Sequence, residues 1–385
     1  MNSRKATIVA LLIIPMTSCG DGDELTGTLP PPPSEGFVSI SLGNSHTCGI
    51  QADGQTFCWG RNENGELGIG STTNQTRLTL VTGTHVFLQM SLGARHTCGL
   101  TIAGEVLCWG LNSSGQLGDG STTDQHFPTP IASQVELRSI SSGSAFSCGP
   151  SSDGSAWCWG SNSRGQLGDG TTISSGIPIQ VDTNVDFVAI DAGGAYVCGL
   201  TAGGKAYCWG SNERGQLGDG STEDHPRPVA VRGGLSFESI SAGFQHSCGL
   251  TRGGAVYCWG ENAAGQLGDG TIADRTVPTR VDSAVLFVAI GTGGGHTCAL
   301  ATNDAQYCWG FNRGGSVGDG TIETRTSPVP VGTPERFVRI SVGVQASCGI
   351  RADGVAYCWG QNFFGELGDG ETGSHRLFPA PVDSP

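Results

Sequence analysis

The chain has 385 residues, of which 64 are glycine and only 14% are charged, and its formal net charge is −14. That composition excludes a helical bundle, and the steady recurrence of Trp, Phe, Ile, Leu and Val excludes a disordered chain. With no cluster of Lys and Arg, nucleic acid is excluded as a partner, and the acidity reads as a solubility device with a bias towards basic partners.

The first element is an export signal. Residues 1–19 read MNSRKATIVALLIIPMTSC, with Arg4 and Lys5 as a positive start and Ala6 to Ile14 as an apolar run too short to span a bilayer. Met16-Thr17-Ser18-Cys19 resembles a bacterial lipobox, in which the cysteine is acylated after cleavage before it; that pattern prefers Leu where Met16 stands. Residues 1–18 are therefore expected to be a signal peptide and Cys19 a lipidation site. Residues 19–36 carry acids and the run Pro30–Pro33, which builds no core and makes an extended, semi-rigid tether.

From residue 37 to 385 the chain repeats itself. Cys-Trp-Gly begins at Cys58, Cys108, Cys158, Cys208, Cys258, Cys308 and Cys358, a period of 50 residues. A second cysteine stands ten residues before each, at Cys48, Cys98, Cys148, Cys198, Cys248, Cys298 and Cys348. Every unit also carries Asn at the place of Asn62 and Gly at those of Gly43, Gly65, Gly68 and Gly70.

Unit five illustrates the strands. Phe237 to Ile240 is a short opening strand, His246 to Thr251 a second and Ala255 to Gly260 a third. Arg252-Gly253-Gly254 suits a three-residue hairpin loop with glycine in the left-handed position. Pro278 to Val281 reads as an edge strand, where a missing N–H is tolerated. Four short strands in each of seven units describe the blades of an all-β, seven-bladed propeller. A loop centred on Gly253 sets Cys248 opposite Cys258, Leu250 opposite Val256 and Gly249 opposite Tyr257, with Gly249 leaving room for the Tyr257 ring. The cysteines then fall at a non-hydrogen-bonded pair, where Cα atoms are about 4.5 Å apart.

The string GFQHSCGLTRGGAVYCWGENAAGQLGDGT at Gly243–Thr271 resembles the signature of the RCC1 (regulator of chromosome condensation) repeat, and the likeness covers residues 37–385. It implies a seven-bladed propeller, here in an exported, lipoprotein-like setting. Pro379 to Val382 has no following unit to join and is expected to close the ring beside Phe37–Ile40.

The fourteen paired cysteines in an exported chain read as a disulfide framework, with buried free thiols as the alternative. Structural zinc would want cysteines two to four residues apart and gathered in fours, and redox chemistry would want Cys-x-x-Cys. Features common to all units, such as Trp59, Asn62 and the Gly-Gln-Leu-Gly-Asp-Gly loops, read as structural. Asp119, Asp169, Asp219, Asp269, Asp319 and Asp369 read as turn caps rather than calcium ligands. His46, His96, His246 and His296 share a place with Phe146, Tyr196 and Ala346, which points to packing or a backbone hydrogen bond rather than a metal ring. No nucleophile, base and orienting acid come together, so no catalytic residue, cofactor or metal is expected.

Function is then expected in side chains that vary between units. The loops after the first and third strands should share one face. Units five to seven carry Phe244, Phe311, Arg313, Phe363 and Phe364 there, anchors of the type favoured in protein interfaces. The expected role is an exported scaffold in the cell envelope or outside the cell, monomeric, touching a membrane only through its lipid, and binding a protein in preference to a glycan. The resemblance supplies two alternatives. One is guanine-nucleotide exchange on a small GTPase, the other protein capture as in a secreted β-lactamase inhibitor of the same family. An enzyme such as a lyase or glycosidase using the central pocket is a further alternative.

Overall fold

The computed structural model describes residues 36–383. Cys19, the signal segment and the tether up to residue 35 lie outside the described residues.

Short strands alternating with glycine turns build seven four-stranded antiparallel sheets, each from one unit and in chain order. In unit one the strands run Phe37–Leu42, His46–Gln51, Thr56–Gly60 and Gln75–Leu80, from the axis to the perimeter. The third unit keeps only Ser141–Ser142 as its innermost strand. Unit five pairs Cys248 with Cys258, Gly249 with Tyr257 and Leu250 with Val256. Gly254 at φ 78° makes the hairpin turn that a side chain would strain.

Three expectations need correction. The outer strand of unit five is Arg275–Arg280, not Pro278 to Val281, because pairing with the third strand resumes at Gly260 opposite Arg275, beyond a bulge. The ring filling the space beside Gly249 is not that of Tyr257. It is Phe237, whose Cε1 lies 2.5 Å from where a Cβ would stand. Last, the final strand, Ser374–Pro381, does not lie beside Phe37–Ile40; it pairs with Ala356–Asn362 of its own blade. Each unit holds all four strands in order, so none is left over. A perimeter strand is also three spacings of about 4.8 Å from the axis, where the first strand of the next blade runs.

The ring closes by packing of blade faces. Side chains alternate across each strand, so Cys58 and Trp59 point to opposite neighbours. The Cys48–Cys58 pair packs with Phe87 and Trp109 of the following blade. Trp59 packs with Cys348, Ile350 and Cys358 of the preceding one, which is blade seven. All seven tryptophans of the repeat are fully buried, and the indole N–H of Trp59 donates to the carbonyl of Glu366 at 2.9 Å across the closing seam. The seven disulfides, each with Cα atoms 4.1 Å apart, supply the other wall of every such core. No helix among the described residues is long and apolar enough to cross a membrane.

Candidate binding face and axial funnel

The loops after the first and third strands emerge on one face and are tied together. Glu261 N donates to the carbonyl of Gln245 at 2.9 Å, and Phe311 N to that of Gly295 at 2.8 Å. The long loop is shaped from inside by its asparagine. Asn262 accepts from Leu267 N at 3.0 Å and donates to the carbonyls of Thr271 and Ala273, both at 3.1 Å. Asp269 joins this lattice, accepting from Asn262 and from Arg275, and is held below the usual carboxylate range by its bonds to Thr271 and Arg275 despite partial burial. Its oxygens are thus engaged in the turn. No metal-holding cluster occurs among the described residues.

The five candidate anchors fall into separate groups. Phe244 is 49% exposed and Phe363 53%. The Phe244 ring lies over Gly194 of the preceding blade, its Cδ2 3.0 Å from where a Cβ there would stand. Phe363 meets His375 edge-on at 5.5 Å. Phe364 folds back across the closing seam, with the Arg61 guanidinium 5.2 Å above its ring. Phe311 is half-buried beside Gly295, and Arg313 is exposed. Phe244 and Phe311 line the axial cavity; Arg313, Phe363 and Phe364 do not.

That cavity, about 720 Å³, opens on the loop face. Its wall is the innermost strand of every blade and the glycine that follows. A Cβ on Gly193 would lie 2.4 Å from the carbonyl oxygen of Gly243, so only glycine lets the blades approach at the axis. One position of the repeat forms a ring: Ser41, Ser91, Ser141, Asp191, Ser241, Gly291 and Ser341. The side-chain oxygen here staples neighbouring blades. Ser91 Oγ accepts from Ser142 N at 2.8 Å, Ser141 Oγ from Ala192 N at 2.9 Å and Ser241 Oγ from Thr292 N at 3.1 Å. Asp191 does the same through Oδ2, accepting from Ala242 N at 2.8 Å, while Oδ1 accepts from Ser141 Oγ at 3.0 Å. Burial pushes its pKa up, opposed by these hydrogen bonds.

The cavity is not symmetric. It runs outward between blades five and six, where it takes in Glu261, Ala263, Ala264, Gly294, Gly295 and Phe311. The opening follows from the small residues: units one and seven carry Glu63-Asn64 and Phe363-Phe364 where unit five has Ala263-Ala264. Gln266 donates its amide to Glu261 at 3.2 Å, and burial raises the Glu261 pKa, with Arg214 opposing. Asp191, Glu261 and the alanine pair were not among the sequence candidates. Their signal lies in comparing one position across the seven units, where Asp191 is the sole charge among serines and a glycine.

The comparisons agree with this architecture. The family model described as RCC1-like domain matches residues 133–385, and the regulator of chromosome condensation (RCC1) repeat matches 53–100 and 103–149. Compared by sequence with curated proteins, the chain matches none. Among solved structures, it is similar to Prp20p from Saccharomyces cerevisiae, whose binding to Gsp1p and histones has been examined. That likeness has 22% identity and a TM-score of 0.76, covering 91% of this chain and 88% of that one. Human WBSCR16 gives 22% identity and 0.73, covering 80% and 84%. The ectodomain of the Arabidopsis thaliana receptor kinase ACR4 gives 20% and 0.57, covering 91% and 99%.

Proposed function

The chain belongs to the RCC1 repeat family, and from that premise we propose that it is an exported, lipid-anchored propeller scaffold that captures another protein through its loop face. The RCC1-like propeller suggests a protein-binding or exchange-factor-like role. The observation that carries the binding reading is the pair of half-exposed rings, Phe244 and Phe363, on a loop face that also exposes Ile173, Ile272 and Ile322. Exposed aromatics surrounded by polar rims are the usual anchors of protein recognition. Seven buried disulfides fit an extracellular or otherwise oxidising environment. In this reading residues 1–18 are the signal peptide, Cys19 and the stretch to 36 the anchored tether, and 37–385 the binding body, acting as a monomer.

The test is capture from envelope and culture fractions on the immobilised full chain, with a Phe244→Ser, Phe363→Ser double variant alongside. A protein held by the parent and lost by the variant at unchanged melting temperature supports the face. Equal capture by both overturns it. Lipid anchoring is checked separately by metabolic labelling with a fatty acid, which Cys19→Ala should abolish.

A further inference from the structure

Asp191 is more than its structural task requires. The staple between blades needs one side-chain oxygen, and serine provides it at the same place in blades two, three and five. Placing a carboxylate there adds a charge whose desolvation is unfavourable unless a cation meets it. No Lys, Arg or His lines the cavity among the described residues, whereas Glu261 adds a second acid. Each Asp191 oxygen accepts one close protein hydrogen bond in the staple, with Ser241 and the Ala192 backbone also acting on the carboxylate, and it still lines the open cavity. Room and negative charge coincide in one cavity, beside the rings of Phe244 and Phe311.

Resting on the loop face as the binding surface, we propose that the axial funnel, entered between blades five and six, receives an arginine side chain of the partner protein, its guanidinium directed to Asp191 with Glu261 adding negative charge at the side opening. Arginine fits better than lysine for three reasons. Its planar group pairs with carboxylates through two parallel hydrogen bonds, it lies favourably against aromatic faces, and it sheds water more readily. The cavity volume of about 720 Å³ leaves space for the arginine and the loop that carries it. The small residues Ala263, Ala264, Gly294 and Gly295 form the entry, so the loop descends beside the axis rather than along it. The protein's net charge of −14 favours approach of a basic partner.

The test titrates the full chain by calorimetry with acetyl-Gly-Gly-Arg-Gly-Gly-amide and with its citrulline counterpart, equal in shape but uncharged. The arginine peptide is expected to bind at least tenfold more tightly than the citrulline one. Asp191→Ser should weaken it at least tenfold without lowering the melting temperature, and adding Glu261→Gln should erase the preference. Equal binding of the two peptides, no binding of either, or indifference to Asp191→Ser overturns the proposal. Capture experiments separate this failure from that of the face itself. Partner capture lost in the Phe244/Phe363 double variant but kept by Asp191→Ser with Glu261→Gln removes the arginine site and leaves the face standing.

Discussion

His46 and Thr97 meet across the seam between blades one and two, Nε2 to Oγ1, at 2.9 Å. Thr97 has already committed its hydroxyl hydrogen to the carbonyl of Glu66 at 2.8 Å, so the imidazole must be the donor and carries its proton on Nε2. His246 with Thr297 and His296 with Ser347 repeat the arrangement, since each hydroxyl donates to a carbonyl of the preceding blade. The Nδ1 atoms of His96, His246 and His296 are buried without a partner, and protonating any of them would put a charge in the core.

Acid sensitivity follows. Burial holds His46 and His246 down at about 3 and His96 and His296 at about 4. In the unfolded chain each titrates near 6.5, so the unfolded state takes up protons that the folded state refuses. The stability these groups contribute is full above about pH 6.5 and falls as pH drops towards their folded values. Denaturant midpoints between pH 7.5 and 4.5 should decline, and His246→Phe, which imitates Phe146, should remove about 1.4 kcal/mol per pH unit of that slope. An unchanged slope would show that the ring is not neutral in the fold.

The opposite sign is expected at Asp191. Its raised pKa means that the folded protein favours the neutral acid, so its contribution is full below the ordinary carboxylate range and lost as pH rises through the raised value. Asp191→Ser should therefore raise the unfolding midpoint at pH 7. The gain should disappear below about pH 4, where aspartate is protonated in both states. A variant less stable than the parent at pH 7 would contradict this.

Disulfide reduction should require unfolding. The cysteines are at most 1% exposed, so a phosphine reductant followed by alkylation should label none of the fourteen in the native protein and all after heating. Replacing Cys248 and Cys258 together by Ala should cost up to about 3 kcal/mol, the loop-closure entropy released to the unfolded chain. Urea unfolding would measure it.

The five aromatic and arginine candidates should divide by burial. Phe364→Ser should cost about 1 kcal/mol, because its half-buried ring and the Arg61 contact are lost together. Phe244→Ser and Phe363→Ser should leave the melting temperature within a degree or two of the parent. Comparable losses at all three positions would mean that the exposed rings also hold the blades.

The repeat made the blades legible in the amino-acid order. Cysteine register follows from the hairpin glycine, and pairing of Cys248 with Cys258 needs only counting outward from Gly253. The ring closure was legible too, had the repeat been followed to its end: the four strands read in every unit assign Ser374–Pro381 to its own third strand, and the missing following unit drew it wrongly to the first blade. Gly249 misled for a different reason: its cross-strand neighbour is Tyr257, but the ring that fills its space comes from Phe237 on the other side. The funnel stayed hidden because its wall mixes residues from all seven units, and its asymmetry comes from what Ala263, Ala264 and Gly295 lack.

A closed ring in which no sheet borrows a strand has no clasp. The seam between blades seven and one shares the tryptophan indole bond with the other six, here from Trp59 to Glu366, while Ala346 leaves it without the histidine bond found between blades one and two. Cutting the circle at any other connector and joining the old ends would leave every sheet and every disulfide whole. Such circular permutants should fold to the same ring. The loops on its face lean on their neighbours, as Phe244 does on Gly194 and Phe364 on Arg61, so the wheel is continuous at its face as well as in its cores.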